Sequence, residues 1–240
     1  VAILHHRSVR KRTDRNVFRL SWSLEWFLLI PLLAAMLFTQ ITMQATSVWA
    51  PPVLTRQFGL TPGQFAGWLS AIMLAGGMLG ALAGGRLGKA GQRQGGNRRV
   101  LMPAMTASLA LIPLSLFGVL PTIPLVALFL AGNIFAGAVI ATLGVIAITL
   151  NFPNEIRGLA LGSNVLCSTL LGTATAPAAI AMVSKAMGGE TMLGFAIAGL
   201  CAPAALLSAL CFFLAMRQGT ANQDGRGTTS AQRSLTEARE

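Results

Sequence analysis

The 240-residue chain is 54% hydrophobic and only 10% charged, and its mean hydropathy is +0.66. Soluble domains carry about 25% charged residues, so this composition excludes an ordinary soluble domain and indicates a multi-span membrane protein. The formal net charge of +11 would favour a nucleic-acid partner in a soluble protein. Here the cations stand in blocks beside apolar runs, so we expect a lipid bilayer as the partner and no nucleic acid.

Cysteine and histidine usage gives no sign of a metal or redox centre. The three cysteines, Cys167, Cys201 and Cys211, lie inside apolar runs, where a thiol usually serves as a small buried apolar side chain. The two histidines, His5 and His6, stand at the N-terminus, and no CxxC pair occurs. We therefore expect neither a metal ion nor another cofactor.

The chain opens with a basic segment followed by one long apolar run. Residues 1–21 carry few large apolar side chains, and we interpret them as a basic cytoplasmic tail or as a linker between two halves of a larger protein. The chain begins with Val1, so six spans need not be the whole protein. Residues 26–50 are long enough to cross a bilayer. Pro51 and Pro52 lack backbone N–H groups and predict the end of this first helix.

Five further helices follow. Thr61 and Gln64 have the spacing of a capping box at the start of the second helix, which we expect to reach about residue 84. The remaining helices are expected at residues 100–119, 123–150, 158–183 and 191–216. Pro177 predicts a kink in the fifth. Residues 22–216 would then form one six-helix transmembrane bundle, and the polar residues 217–240 a disordered cytoplasmic tail.

Residues 84–99 form a basic, glycine-rich stretch between the second and third helices. A cation at the bilayer centre costs roughly 2.5–3.5 kcal/mol on insertion scales, so we expect this stretch to be a short hinge in the cytoplasm. All lysines and arginines except Arg56 and Lys185 then fall on the cytoplasmic side. The positive-inside rule predicts that both termini are cytoplasmic, and we expect a bacterial-type inner (plasma) membrane.

An enzyme would need reactive groups at membrane depth, and the spans hold none of the usual sets. Ser163 has no histidine in any span to act as its base, no HExxH zinc motif occurs, and no span carries paired carboxylates. We therefore expect no catalytic residues and no enzymatic activity.

Neutral polar side chains recur within the apolar runs. Gln40, Gln44 and Ser47 share one face of the first helix, because they are spaced by four and three residues. Asn133 stands in the fourth helix and Asn164 in the fifth. Such residues either line a solute pathway or join helices by hydrogen bonds, which are worth about 0.6 kcal/mol on average in a membrane. The spacing alone leaves both interpretations open.

Small residues form two rows on the second helix. Gly76, Gly80 and Gly84 recur at every fourth residue and share one face, and a second row runs beside them from Gly77 to Gly85. Small residues at this spacing let helix backbones approach closely in lipid. Tight helix packing explains both rows without a ligand.

Three stretches resemble one family of membrane carriers. They are WAPPVLTRQFGL at residues 49–60, GALAGGRL at residues 80–87 and PNEIRGLALG at residues 153–162. Together they resemble the C-terminal six-helix half of a major facilitator superfamily carrier. The first two look most similar to the spinster-like branch, whose members are proposed carriers of lipids, sugars or organic acids.

The second stretch resembles the C-half copy of the superfamily's loop signature. The residues that the resemblance assigns to this cytoplasmic signature are Gly84, Gly85, Arg86, Lys89, Arg98 and Arg99. The acidic residue expected in the signature is absent, and Gly88 and Lys89 stand near its place. This departure argues against gating by an acidic–basic pair on this side.

The resemblance also implies an arrangement of the helices. The six helices would be family helices seven to twelve, in 3+3 inverted repeats, with an N-terminal six-helix half missing. Family helices seven and ten line the central cavity, which implies that Gln40, Gln44 and Asn133 face the substrate. Family helices eight and eleven pack against the other half. The seam residues implied here are Gly76, Gly80, Gly84, Gly158 and Gly162.

We therefore expect a secondary carrier, a symporter or antiporter, that moves a small organic solute by alternating access. This chain would be its C-terminal half, with the other half in the same polypeptide or in a partner copy. The alternative is a six-helix scaffold or assembly subunit whose polar residues only join helices.

Overall fold

The computed structural model describes residues 2–93, 97–152, 154–186 and 193–237, with side chains for residues 29–93, 98–152, 156–186 and 193–218. The elements are α1 (Ala2–Phe58), α2 (Pro62–Arg93), α3 (Asn97–Leu114) with a 3-10 extension (Ser115–Val119), α4 (Ile123–Asn151), α5 (Asn154–Cys167), a π-helical segment (Ser168–Thr173), α6 (Ala174–Ala186) and α7 (Leu193–Glu237). Six stretches of this described part are long and apolar enough to cross a membrane, and α5, the π segment and α6 together make the fifth. The prediction of an all-α bundle of six membrane-spanning helices is confirmed.

The first helix runs through Pro51 and Pro52 to Phe58, so the prediction that the proline pair ends it is wrong. A proline inside a helix costs roughly 3 kcal/mol, because it removes a hydrogen bond and crowds the preceding turn. Continuing the helix buries Val53 and Leu54, which are 2% and 0% exposed. Burying each such side chain is worth about 1.5–3 kcal/mol, and this gain offsets part of the strain of the prolines.

The basic, glycine-rich stretch is helical on both sides of residues 94–96, which lie outside the described residues. α2 continues to Arg93 and α3 begins at Asn97. Four residues of the predicted loop signature therefore lie in α2: Gly84, Gly85, Arg86 and Lys89. The expectation of a hinge beginning at residue 84 is wrong for this part. Gly84, Gly88 and Gly91 are buried against neighbouring helices, and this packing keeps the stretch helical.

The C-terminal segment differs from the expectation of disorder, because α7 is helical to Glu237. At the other end α1 is helical from Ala2, and the assignment of residues 1–21 to a cytoplasmic tail or linker stays a prediction. Residues 2–30 and 204–237 contain no proline, so no proline interrupts α1 before its membrane span or α7 after its membrane span. Pro153 and Thr191, which mark a predicted turn and a predicted helix start, lie outside the described residues.

The six spans divide in chain order into two groups of three, and their main contacts run between the groups. The first group is α1, α2 and α3, and the second is α4, the α5–α6 span and α7. α1 packs on the α5–α6 span and α7 of the second group, and α4 packs on α2 and α3 of the first. α3 and α7, the third members, pack on each other. The first span of each group thus packs on the second and third spans of the other group. This reciprocal arrangement is the pattern expected of two inverted three-helix repeats.

Two apolar cores lie one above the other inside the bundle. One contains Leu32 and Phe212 and lies near the end where α2 meets α3, which we call the basic end. The other contains Phe117 and Leu130 and lies near the opposite end. Buried polar side chains stand between the two cores along the helices, and they include Thr39, Thr42, Asn133 and Asn164. The bundle therefore has a polar layer at about mid-height.

Candidate functional site

A cavity of about 190 Å³ lies between α1, α4 and α5 at the height of the polar layer. α1 contributes Thr39 and Gln40 to its wall, and the fifth span contributes Asn164 and Ser168. The structure thus brings together Gln40 and Asn164, two of the residues predicted to line a pathway. Complete ligand pockets usually measure about 300–1,000 Å³, so this volume suits one side of a site shared with another element.

The two amides are the hydrogen-bonding groups that the cavity offers. The Thr39 hydroxyl donates to the Ala35 carbonyl at 2.9 Å, and the Ser168 hydroxyl donates to the Asn164 carbonyl at 2.6 Å. Within the described part of the chain, no hydrogen bond occupies the side-chain amide of Gln40 or Asn164. Each amide can both donate and accept, so together they suit an uncharged solute that carries hydroxyl or carbonyl groups.

Two glycines of α4 leave room for methionines of α1: Gly137, which lines the cavity, and Gly144 farther along the helix. A Cβ added at Gly137 would overlap the Met43 sulfur, and one added at Gly144 would lie 2.6 Å from the Met36 sulfur. Met36 and Met43 both line the cavity. Methionine is unbranched and adapts its shape readily, so the apolar part of the wall can follow the outline of a bound molecule.

The fifth span changes its helical winding beside this cavity. The π segment precedes Pro177, which lacks the N–H that would bond the Thr173 carbonyl, so the irregularity predicted at Pro177 lies one turn earlier. A Cβ at Gly172 would stand 2.8 Å from the Gln40 Cγ, so α1 rests directly on this segment. Gln44 Nε2 donates to Thr173 Oγ1 at 2.8 Å. Gln44 therefore joins α1 to the π segment and does not line the cavity.

Ser47 and Asn133 are also placed away from the cavity. The Ser47 hydroxyl donates to the Met43 carbonyl of its own helix at 2.7 Å. Asn133 is fully buried between α1 and α4, and its Oδ1 accepts a hydrogen bond from Thr46 Oγ1 at 3.2 Å. Its Nδ2 has no partner in the described residues. In this conformation neither side chain reaches the cavity, which departs from the prediction that both could line it.

The first glycine row of α2 packs inside the bundle. A Cβ at Gly80 would lie 2.5 Å from the Phe135 carbonyl oxygen, and one at Gly84 would lie 2.9 Å from Thr142 Cβ. Gly76 meets Ile134 in the same way, at 3.2 Å. All three neighbours belong to α4. The prediction of tight helix packing is confirmed, but the seam assignment of Gly76, Gly80 and Gly84 to another half is not what these contacts show.

Other glycines of the predicted seam face open space. Nothing lies within 4 Å of a Cβ built at Gly158 or Gly162, and the same holds for Gly77 and Gly85 in the second row of α2. The two helices that carry them are also the least enclosed. Only 17% of the most apolar window is buried in α2 and in the fifth span, against 39–44% in the other four. One side of each helix is thus left uncovered.

The remaining loop-signature residues mark the basic end. Arg86 and Lys89 are exposed on α2, and Arg98 and Arg99 are exposed in the first turn of α3. A Cβ at Gly91 would lie 2.9 Å from the Arg99 carbonyl oxygen, so the two helices touch there. This close approach gathers the cations of both helices at one end of the bundle.

A buried hydroxyl cluster escaped the sequence analysis. Thr39 Oγ1 lies 2.9 Å and Ser108 Oγ 3.3 Å from Ser208 Oγ, and Ser208 also donates to the Ala35 carbonyl at 3.0 Å. The cluster joins α1, α3 and α7 beside the cavity. Ser108 and Ser208, each inside an apolar run, were the available signal, but the sequence did not reveal that the two serines meet.

One comparison with known proteins identifies a family. A family model described as Major Facilitator Superfamily matches residues 32–239. No curated protein and no solved structure matches the chain.

Proposed function

The chain belongs to the major facilitator superfamily and is an integral, multi-pass membrane transporter, and from this premise we propose that it forms the C-terminal six-helix half of a secondary carrier. The carrier moves a small organic solute by alternating access, as a symporter or antiporter. The N-terminal half belongs to the same polypeptide or to a partner copy.

The observation that carries the proposal is the mid-height cavity with its two amides. Carriers built from inverted repeats bind substrate near the midplane, where the repeats meet. The cavity lies between α1 of the first group and α4 and α5 of the second. No charged side chain lines it, so among the solutes of spinster-like carriers the proposal favours a hydroxyl-rich molecule such as a sugar over an anion. Gln40 and Asn164 are the proposed contacts.

The uncovered sides of α2 and of the fifth span support the proposed second half. Both helices leave small residues, among them Gly85 and Gly162, with nothing within 4 Å. Such surfaces allow another helix to approach closely in lipid. In the proposed carrier these two sides form the moving seam, and the six-helix bundle rocks against its counterpart as one body.

A cysteine accessibility experiment tests alternating access without knowledge of the solute. Gln40→Cys is placed in a background without native cysteines, and a membrane-impermeant maleimide is applied to vesicles of each orientation. The proposal expects labelling from both sides of the membrane. Ser47→Cys is the matched control on the same helix, away from the cavity. Labelling of Gln40→Cys from one side only, or from neither, contradicts alternating access and favours the six-helix scaffold.

An uptake experiment tests the proposed solute contacts. Vesicles containing the native polypeptide are screened with labelled sugars and organic acids, and Gln40→Ala and Asn164→Ala are compared with Ser47→Ala. Because an unpaired polar group in a solute site reduces discrimination strongly, we expect each amide variant to lose roughly tenfold or more in uptake and Ser47→Ala to stay near wild type. Equal uptake by all three variants would place the solute elsewhere.

A further inference from the structure

A second and larger cavity opens on the outer surface of the bundle, away from the proposed solute site. It has a volume of about 1030 Å³ and lies between α2 and α3, with α4 as its floor. Exposed apolar side chains border it, among them Met102 at 50% and Leu87 at 41%. Because these side chains belong to membrane spans, the groove opens toward the lipid.

The groove closes toward both ends. At the basic end Gly91 touches the backbone of Arg99, and farther along Gly132 touches the Leu114 side chain, with built Cβ distances of 2.9 and 2.8 Å. From Arg99 to Leu114 a helix rises roughly 22 Å. One leaflet of hydrocarbon is about 15 Å deep. The groove is thus long enough to take an extended chain that reaches from the membrane surface past its middle.

The polar groups of the groove are confined to its basic end. Of the described residues that line the groove, Arg99 and Thr106 alone have polar side chains, and the Thr106 hydroxyl donates to the Pro103 carbonyl at 3.0 Å. Arg99 shares this end with the exposed cations Lys89 and Arg93. α2 and α3 carry no aspartate or glutamate, so the two walls of the groove contribute only positive charge at this end. An occupant must therefore have one long apolar part and one anionic head.

The groove is separate from the proposed seam. At 3.6 residues per turn, Leu87 and Ala90 lie roughly 140–160° around α2 from Gly85, which faces the proposed second half. A second half bound at the seam would leave the groove open. From this geometry we propose that the groove binds an anionic glycerophospholipid, with one acyl chain between α2 and α3 and its phosphate at Arg99. Arginine suits this role because its guanidinium pairs with phosphate through two parallel hydrogen bonds.

Lipid binding to the purified native polypeptide tests the proposal, with native mass spectrometry as the readout and phosphatidylglycerol and phosphatidylcholine as the probes. We expect wild type to retain phosphatidylglycerol preferentially. Arg99→Gln should weaken that binding about fivefold, since one cation near an anionic lipid contributes about that factor. Arg56→Gln removes the same charge at the opposite end and should change nothing. Equal retention of the two lipids, or equal effects of the two arginine variants, would overturn the proposal.

A bulky residue in the groove tests the acyl chain. Ala110→Trp fills the groove at an exposed position and should abolish the preferential retention of phosphatidylglycerol, because the indole ring takes the space of the acyl chain. Ala75→Trp, at an exposed position of α2 that does not line the groove, is the matched control. If Ala110→Trp leaves lipid binding intact, no acyl chain lies in the groove and the proposal is wrong. If it instead shifts a dimer to monomer, a second copy and not a lipid covers the groove. Solute uptake is not needed for any of these readouts.

Discussion

The closest contact between α2 and α4 gives a direct test of how the bundle is held together. The change is Gly80→Ala, which adds a single methyl group. Its carbon would lie 2.5 Å from the Phe135 carbonyl oxygen and 2.8 Å from Ala138 Cβ. The first neighbour is backbone and the second is fixed to it, so neither can rotate away. The helices would have to move apart by about 1 Å to reach an ordinary contact distance.

Two opposing contributions set the size of the effect. Alanine is favoured over glycine in a helix by about 0.5–1 kcal/mol, and overpacking costs about 1–3 kcal/mol. Gly199→Ala isolates the first contribution, because it lies inside a membrane-spanning helix away from the proposed seam and its added methyl group meets nothing within 4 Å. The difference between the two variants should therefore be about 1–3 kcal/mol, with Gly80→Ala the less stable.

Thermal unfolding in mild detergent measures this difference. For a protein of this size 1 kcal/mol corresponds to about 2–4 °C, so the Tm of Gly80→Ala should lie about 2–12 °C below that of Gly199→Ala. Insertion of all six spans should be unchanged, because the added methyl group is apolar. Equal Tm values, or a higher Tm for Gly80→Ala, would refute the close α2–α4 contact.

Three further predictions concern the polar layer and the orientation. Gln44→Leu and Thr173→Val should each lower the unfolding free energy in a detergent titration by about 0.6 kcal/mol, and the double variant should lose no more than either one; additive losses would show that the two side chains do not interact. Ser208→Ala should cost about 1–2 kcal/mol in the same titration, because three neighbouring groups lose a buried partner; an unchanged midpoint would argue against the hydroxyl cluster. In intact cells and a background without native cysteines, an impermeant maleimide should label Thr61→Cys but not Gln92→Cys, and the reverse pattern would contradict a cytoplasmic basic end.

The number of spans and their positions along the chain could be predicted, because charged residues are confined to the segments between the apolar stretches. No charged residue interrupts the apolar centres, so each span stands out without knowledge of its neighbours. The start of α2 was equally local: the Thr61 N–H donates to Gln64 Oε1 at 2.9 Å, which is one half of the predicted capping box. Features that depend on adjacent residues were therefore accessible from the sequence.

Features that depend on packing between distant parts of the chain could not be predicted from the sequence. Proline at positions 51 and 52 predicts a helix end by local rules, yet burial of Leu54 in a distant core outweighs them. Glycine at position 88 is typical of a hinge, but here it gives room to Ile146 of α4. In both cases a tertiary contact outweighs the local helix propensity, and the sequence does not show that contact.

The candidate site was predicted in part for the same reason. Helical spacing identified which polar residues share a face, but it did not give the direction of that face in the bundle. Gln40 and Asn164 line the cavity, whereas Asn133 points into the contact between α1 and α4. α4 is apolar around its whole circumference, so its sequence carries no periodicity that separates the two directions.

The hydrogen bond between Thr39 and Ser208 sets a minimum time for assembly of the bundle. The two residues are 169 positions apart in the chain. Ribosomes add about 5–20 residues per second, so roughly 10–30 s pass between the synthesis of the two partners. During that interval the first span waits in the membrane without the last, and the apolar core near the basic end, which needs Phe212, is incomplete. The first span must therefore be stable on its own, or be held by the insertion machinery, until the sixth span has been synthesised.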